Sequence, residues 1–169
     1  MIHGIINGSL IPDVEVIGSC SGEESSSFKC EGMKNFVKWN VNLGDSDFKI
    51  ESEFKVEQVA GTALSFVLWS GDTKHNFVLD ANAPNNVQAI IYENAFAKKK
   101  KPLGKTNLDP SKFQIIVVRR TGNSVKIALD GKEVSGVDIK SSIDAIGWRP
   151  WRNTIYIKSL KFNYGNSEI

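Results

Sequence analysis

Apolar and polar residues alternate with a period of two through much of the chain. The clearest example is Phe48–Glu57, where four large apolar residues alternate with lysines, glutamates and a serine. Successive side chains of a strand point to opposite faces, so this pattern predicts a strand with one face buried and the other in water. Phe36–Leu43 shows the same alternation and predicts a second strand of this kind.

Short apolar stretches bounded by turn residues continue to the end of the chain. They predict further strands at Leu64–Ser70, Asn76–Ala81, Val87–Glu93 and Thr154–Tyr164. In the last of these the alternation changes phase between Ile157 and Leu160, which indicates a bulge or strong twist. No stretch has a convincing helical period beyond a turn or two. The pattern therefore predicts an all-β, antiparallel sandwich.

The region Phe113–Val134 carries the strongest local prediction. Phe113–Arg120 and Ser124–Leu129 are predicted strands, and the polar residues between them predict the turn of a hairpin. Asp130-Gly131 follows directly and supplies residue types that tolerate the left-handed backbone of a tight reversal.

Two segments resemble a known family. The stretch KFQIIVVRRTGNSVKIALDGKEV resembles the central hairpin of laminin-G-like and pentraxin-like domains, which end one strand in arginine and the next in Asp-Gly-Lys. The shorter IYIKSLKF resembles the strand that closes the same sandwich. These families share the concanavalin-A-like jelly roll with legume lectins and with the lectin wings of bacterial sialidases. The resemblance implies a jelly-roll lectin domain that recognises complex or acidic glycans.

Three connections carry their own chemistry. Gly18–Gly32 is predicted to be a polar loop bounded by Cys20 and Cys30, which form either a local disulfide or a pair of reduced thiols. Ala95–Asn107 is predicted to be a basic loop whose lysines at 98–101 could contact anionic groups, although a solvated loop is the simpler interpretation. Gly147–Asn153 is predicted to be a loop rich in tryptophan and arginine.

Length and charge narrow the function classes. A chain of 169 residues suits one domain, and a net charge of +2 is too small to indicate nucleic acid as the partner. No apolar run is long enough to cross a membrane, and the first residues do not form a convincing signal peptide. A disulfide, together with a lone glycosylation triplet at Asn7, would fit a secreted, extracellular protein.

Residue patterns of common enzymes are missing from the sequence. There is no Glu-X-Asp-X-X-Glu strand of the jelly-roll glycosidases, no Gly-X-Ser-X-Gly elbow and no zinc spacing of Cys and His. The glutamates of Phe48–Glu57 alternate with lysines, which indicates a solvated strand face. We therefore expect no enzyme activity and no catalytic residues.

Carbohydrate binding needs an aromatic platform together with polar groups that hold hydroxyls or anionic substituents. Two places offer this combination: one face of the predicted strands 64–93, and the loop at 147–153. The candidate carbohydrate-binding residues are Trp69, His75, Asn76, Asp80, Gln88, Tyr92, Trp148, Arg149, Trp151 and Arg152. For Trp69 and Trp148 the alternative is ordinary core packing. Arg149 and Arg152 would suit an anionic sugar through their forked donors.

Other interpretations remain open at this stage. Calcium is common in the related domains, and Asp45, Asp47, Asp72, Asp80 and Asn82 are candidate ligands by residue type, although we expect no obligatory cofactor. The partner could be a protein instead of a glycan, as in an adhesion or structural module. Self-association into a homo-oligomer would raise the avidity of a weak site.

Overall fold

The computed structural model describes residues 4–6, 9–11, 15–17, 20–23, 27–31, 35–57, 64–79, 85–93, 96–151 and 153–165; up to residue 31 only the backbone is described. The described residues form strands, turns and irregular segments, and none of them is helical. Within these ranges no helix is long and apolar enough to cross a membrane.

The described residues form seventeen strands in two sheets. In chain order they are β1 (Gly4–Ile6), β2 (Ser9–Ile11), β3 (Glu15–Ile17), β4 (Cys20–Glu23), β5 (Ser27–Glu31), β6 (Phe36–Gly44), β7 (Phe48–Val56), β8 (Leu64–Ser70), β9 (Thr73–Leu79), β10 (Asn86–Glu93), β11 (Phe96–Lys105), β12 (Gln114–Thr121), β13 (Ser124–Leu129), β14 (Lys132–Glu133), β15 (Val137–Asp138), β16 (Ile143–Arg149) and β17 (Thr154–Tyr164).

The two sheets divide the strands between them. The first follows the order β14-β13-β12-β7-β17-β1-β2, with β15 beside β13 and the β4–β5 pair beside β17. The second follows the order β11-β10-β9-β8-β16-β6-β3. Every pair of neighbouring strands is antiparallel except β1 and β17, which run parallel. This architecture confirms the predicted all-β sandwich.

Alternate residues of both sheets fill one continuous core between them. Its largest members include Trp39, Trp148 and Phe54, all buried completely. The indole Nε1–H of Trp148 donates to Ser52 Oγ at 3.0 Å, and that hydroxyl donates to the Ser159 carbonyl oxygen at 3.0 Å. Because Ser159 follows the register shift of β17, this chain of bonds satisfies a carbonyl beside the irregularity.

That irregularity was predicted from the sequence. The ladder between β17 and β7 changes register between Ile157 and Ser159, within the stretch where the apolar pattern changes phase. The predicted hairpin is confirmed as well: Thr121 pairs with Ser124 across the first turn. Asp130 and Gly131 adopt positive φ of 47° and 81°, as a two-residue reversal requires.

Arg120, near the turn of that hairpin, is a buried charged residue whose guanidinium donates hydrogen bonds to backbone carbonyl oxygens. Only 2% of it is exposed, and its guanidinium donates to the carbonyl oxygens of Gly122 (2.9 Å), Ile139 (2.9 Å), Ser141 (3.1 Å) and Gly44 (3.4 Å). These four acceptors belong to three separate loops. Arg120 therefore ties one end of the sandwich together, and the bonds offset the desolvation of its charge.

Two predicted loops are strands instead, and the predicted loop Gly147–Asn153 begins with the last three residues of β16. Ala95–Asn107 contains β11, which pairs with β10 along its length, with register shifts at two points. Lysine, proline and glycine have low strand propensity, but they are tolerated at a sheet edge, where one side of the backbone faces away from the ladder. Composition therefore gave the wrong prediction for this segment.

The second such loop is Gly18–Gly32, whose described backbone forms the pair β4 and β5. Cys20 lies directly opposite Cys30 in this register. Directly opposed residues have Cα atoms roughly 4.5–5.5 Å apart, which lies within the range that a disulfide spans. The pairing permits the disulfide, which stays a prediction because the cysteine side chains lie outside what the structure describes.

Candidate functional site

The outward surface of the second sheet gathers the candidate residues. Ladder register assigns the side chains of five adjacent strands, β6, β16, β8, β9 and β10, to this surface, hereafter the outer face. They are Phe36, Lys38, Asn40, Ala145, Gly147, Arg149, Ser65, Val67, Trp69, Lys74, Asn76, Val78, Gln88, Ile90 and Tyr92. Three of these residues are basic and none is acidic; Asp144, at the register shift of β16, is not assigned by the ladder and accepts from the Gly71 N–H.

An aromatic pair forms the floor of the outer face. Phe36 and Trp69 meet edge to face, with ring centroids 5.8 Å apart and planes inclined by 63°. They pack with Val67 and Ala145, and Trp69 is 4% exposed. Lys38 Nζ lies 5.2 Å from the Trp69 ring centroid, which is within the range of a cation–π contact. Trp69 thus supports the surface from below, and its neighbours present the accessible groups.

Small residues on β16 make room for these rings. Ala145 and Gly147 are the outward positions beside Trp69 and Val67. A Cβ added to Gly147 would clash with the Val37 carbonyl oxygen, so no larger residue fits without a backbone shift. The middle of the outer face therefore carries small side chains on β16.

Trp151 projects from the turn that follows β16. The Asn153 N–H donates to the Pro150 carbonyl oxygen at 3.1 Å and closes this four-residue turn. Trp151 has φ of +59°, a left-handed conformation that glycine or asparagine would adopt with less strain. An unfavourable backbone at a half-exposed aromatic residue indicates that the side chain itself is needed there.

Arg149 is the centre of the site. Its guanidinium carbon lies 4.0 Å from the Trp151 ring centroid and 5.7 Å from the centroids of both Phe36 and Tyr92. Burial lowers the pKa of Arg149, while the Tyr92 side chain raises it by electrostatic attraction and a hydrogen bond. The guanidinium nevertheless stays protonated at neutral pH, because arginine titrates far above that range.

Arg149 joins side chains that start far apart on the sheet. Phe36 lies on β6 and Tyr92 on β10, four strands away. Flat strands at about 4.8 Å spacing would separate their backbones by roughly 19 Å. Their ring centroids are at most 11.4 Å apart, twice the 5.7 Å that joins each ring to Arg149. The two rings therefore lean toward Arg149 across the middle of the outer face.

The basic residues of the outer face influence one another. Burial is the main cause of a lowered pKa at Lys74, and repulsion from Arg149 and Lys38 lowers it further, whereas Asp72 raises it. Three cations therefore lie close enough to interact, above and around the aromatic floor. A bound anion would relieve this repulsion.

Asn76 adds a buried amide to the same sheet. It is 1% exposed, lies opposite Val67 and Ile90 in the two ladders, and neither its Oδ1 nor its Nδ2 has a hydrogen-bond partner. A buried amide without partners costs about 1–3 kcal/mol. A polar partner, either water or ligand, would therefore be favoured at this position.

Several sequence predictions come together on the outer face and others do not. Trp69, Asn76, Gln88, Tyr92, Arg149 and Trp151 lie on it or at its rim. The placement of Trp148 in the binding site is wrong, because its ring is fully buried in the core against Phe54. Asp80 and Arg152 lie outside the described residues.

His75 also belongs elsewhere. The register places it opposite Leu68, on the inward side of β9, so it does not share a face with its neighbour Asn76. Its assignment to this surface is wrong, because adjacent residues of a strand point to opposite faces.

Sequence reasoning missed Phe36, Lys38 and Lys74. The alternation already pointed to them: Lys38 lies between the core residues Val37 and Trp39, and Lys74 lies two positions before Asn76. Each was therefore predictable as an outward position. Their proximity to Arg149 was not predictable, because it depends on strand order in the sheet and on how long side chains lean toward each other.

Two of the candidate calcium ligands have structural roles. Asp45 Oδ1 accepts from the Ser142 hydroxyl at 2.6 Å, and Asp47 Oδ1 accepts from the Gly122 N–H at 2.8 Å. Among the described residues, no group of three or more His, Cys, Asp or Glu side chains could hold a metal ion. Asp80 and Asn82 lie outside the described residues.

No protein-family model matches the sequence, and no curated protein matches it. Solved structures do resemble it. The carbohydrate-binding module CBM66 from Bacillus subtilis has a TM-score of 0.56 and 16% identity, over 89% of this chain and 91% of that one. Galectin LEC-6 from Caenorhabditis elegans has a TM-score of 0.57 and 8% identity, over 77% of this chain and 94% of that one. Alginate lyase AlyC3 has a TM-score of 0.50 and 13% identity, over 80% and 73%.

These likenesses, at low identity, show the fold alone. The chain has a concanavalin-A-like jelly-roll fold. Both binding modules and an enzyme share it, so the fold does not decide between recognition and catalysis. The finer resemblance to laminin-G-like or pentraxin-like domains stays a prediction.

Proposed function

We propose that the protein is a non-catalytic glycan-binding module whose outer face binds an acidic glycan. One observation carries the proposal: the guanidinium of Arg149 stacks 4.0 Å from Trp151, lies beside Tyr92, and is near enough to Lys74 to lower its pKa. Aromatic rings and converging cations are the two elements that an anionic sugar requires.

The charges favour a carboxylate or sulfate group on the sugar. Arginine presents parallel N–H donors that match the oxygens of such anions, and lysines add attraction without fixing the geometry. Asp72, in the turn before β9, attracts Lys74, whereas no acidic side chain is among the causes that shift the pKa of Arg149.

The aromatic residues favour a sugar ring as the body of the ligand. Tyr92 and Trp151 are half-exposed, so each offers ring surface to an apolar sugar face. The outer face can hold an extended saccharide across several strands. CBM66 is named a carbohydrate-binding module and shares the fold, which supports the proposal by analogy.

Recognition without turnover fits the same residues. Glycosidic cleavage by a jelly-roll enzyme needs a pair of carboxylates on one face. The outward positions assigned by register on the five strands include none. The outer face therefore has groups that hold an acidic sugar in place and lacks an acid–base pair to cleave it.

Titration calorimetry with three tetrasaccharides tests the proposal. A galacturonic acid tetramer and a heparin-derived tetramer present carboxylates and sulfates, and a galactose tetramer is the neutral reference. We expect at least one acidic tetramer to bind about tenfold or more tightly than the neutral one. Arg149→Gln should weaken that binding by about ten- to a hundredfold, because it removes a charge-assisted pair of hydrogen bonds.

Arg119→Gln is the matched control, since Arg119 is exposed on the opposite sheet. It removes the same charge and should leave the affinity unchanged. Equal binding of the neutral tetramer, or equal losses from the two substitutions, would show that the outer face does not recognise acidic sugars. Absence of binding to all three tetramers would favour a protein partner instead.

A further inference from the structure

A second cavity lies on the inward side of the sheet that carries the outer face. It occupies about 190 Å³ at the edge of the sandwich, between strands β9, β10 and β11 on one side and residues 137–139 on the other. Its lining includes His75, Ile91 and Lys99 from one row of the ladder and Phe77, Ala89 and Lys101 from the next. The cavity is therefore separate from the Arg149 site.

The walls of this cavity are mostly apolar. Phe77 and Ile139 are almost fully buried beneath it, and Ala89, Ile91 and Val137 complete the apolar lining. A cavity of about 150 Å³ with such walls accepts a benzene molecule. The space is therefore large enough for a six-membered ring with one small substituent.

His75 places an unsatisfied polar atom in this lining. Its Nε2 is buried and has no hydrogen-bond partner. Burial and the charge of Arg120 both lower the pKa of His75, so the imidazole is neutral at pH 7 and can carry one N–H. A buried nitrogen of this kind favours a ligand that supplies a hydrogen-bonding oxygen.

Charge at the mouth of the cavity is predominantly positive. Lys99 and Lys101 line it from the exposed strand β11, and Asp138 is the acidic residue of the lining. Lys101 Nζ donates to the Gly136 carbonyl oxygen at 2.9 Å, which holds the lysine across the opening. The two ammonium groups outnumber the carboxylate, so the mouth attracts anions.

We propose that this cavity is a binding site for a small amphipathic carboxylate, with its apolar ring against Phe77, Ala89 and Ile91. The carboxylate lies between Lys99 and Lys101 and accepts a hydrogen bond from His75 Nε2. Asn76 and Ile90 of the outer face also border the cavity, whereas Arg149, Tyr92 and Trp151 do not, so the cations and rings of the glycan site lie apart from it.

Benzoate is the probe, and benzyl alcohol is its neutral counterpart of similar size. In 1H–15N NMR titrations, benzoate should shift the amide signals of Ala89, Ile91 and Val137 while leaving Trp151 unmoved. Benzyl alcohol should bind about fivefold or more weakly, because it lacks the charge that the lysines attract. Equal affinity for both probes, or no shifts with benzoate, would overturn the proposal.

Substitutions separate the contributions of the lining. Lys99→Ser should weaken benzoate binding by about threefold, as removal of an exposed ion pair does. Lys100→Ser is the matched control, since Lys100 is the next residue of β11 and does not line the cavity; it should have no effect. Ala89→Leu should abolish binding by filling the space. An equal effect of the two lysine substitutions would argue against a defined site.

His75→Phe tests the hydrogen bond while keeping a ring of similar size. We expect about fivefold weaker binding of benzoate and a smaller loss for benzyl alcohol, because a neutral hydroxyl accepts a weaker hydrogen bond than a carboxylate. Glycan titrations of the same variant should match the original protein, so failure of one site can be told from failure of the other. Benzoate binding unchanged in this variant would remove His75 from the site.

Discussion

At the scale of single residues, Arg120 belongs to the hairpin segment that resembles laminin-G-like domains, and it also has a structural role. The resemblance places an arginine at the end of the hairpin strand, and the structure shows why it belongs there. Its guanidinium is buried and donates to carbonyl oxygens from three loops, including those of Ile139 and Ser141. A side chain without several donors cannot replace it, because it would leave these acceptors unsatisfied.

Arg120→Met tests this role, since methionine keeps much of the volume and has no donor. We expect the free energy of unfolding to fall by about 3 kcal/mol, because charged hydrogen bonds to buried acceptors are lost. Urea denaturation followed by tryptophan fluorescence measures the change. Arg119→Met makes the same substitution at the exposed neighbouring position and should alter stability little. Similar losses for both variants would mean that the hydrogen bonds from Arg120 to carbonyl oxygens do not add to the free energy of unfolding.

At the scale of elements, β16 and the turn after it place two tryptophans, only three residues apart, in different environments. Trp148 is on the inward side of the strand and donates to Ser52 in the core. Trp151 lies in the turn with a left-handed backbone and stacks on Arg149. Strand alternation and the turn that follows it therefore give one tryptophan a structural role and the other a proposed role in binding.

Paired substitutions of these tryptophans should have opposite effects. Trp151→Gly relieves the left-handed strain, so stability should stay within about 1 kcal/mol of the original. It also removes an aromatic surface, so affinity for the acidic tetrasaccharide should fall about tenfold. Calorimetric titration and urea denaturation measure the two quantities.

Trp148→Phe serves as the contrasting variant. It loses the indole hydrogen bond to Ser52, so stability should fall by about 1–2 kcal/mol while glycan affinity is unchanged. A large loss of stability in Trp151→Gly, with affinity retained, would assign Trp151 to the fold and contradict its proposed place in the site.

How much of the fold the sequence predicts also depends on the element. Phe48–Val56 was predictable because each residue alternates cleanly between core and solvent. Strand β11 was not, because its lysines, proline and glycine resemble a loop and its pairing with β10 is a tertiary effect. The meeting of Arg149 with Tyr92 was also beyond sequence reasoning, since it depends on strand order in the sheet and on how two long side chains lean toward each other.

At the scale of the whole molecule, charge is unevenly arranged even though the net charge is only +2. On the outward side of the first sheet, lysines are paired with glutamates, as in the contact of Lys49 with Glu51 at 2.8 Å. The outer face of the second sheet instead places Lys38, Lys74 and Arg149 together. A small overall charge therefore conceals a strongly basic surface that bulk composition does not reveal.

This arrangement predicts a strong dependence of glycan binding on salt. The distance over which charges act falls from about 10 Å at 0.1 M salt to about 3 Å at 1 M. We expect the dissociation constant of the acidic tetrasaccharide to rise about tenfold across this range. Calorimetry of Arg149→Gln should show a smaller rise, because one of the three cations is gone. An affinity insensitive to salt in both proteins would mean that hydrogen bonding and stacking alone hold the sugar.

Strand β11 closes one border of the second sheet in the described part of the chain, and its positions 98–101 are consecutive exposed lysines. An edge strand has unpaired backbone N–H and C=O groups that can pair with a strand of another molecule. Repulsion between the ammonium groups of these lysines disfavours such pairing. Acetylation of these side chains would remove that repulsion while leaving the hydrogen-bonding backbone in place. We expect the acetylated protein to pair through this border into dimers, which sedimentation would detect.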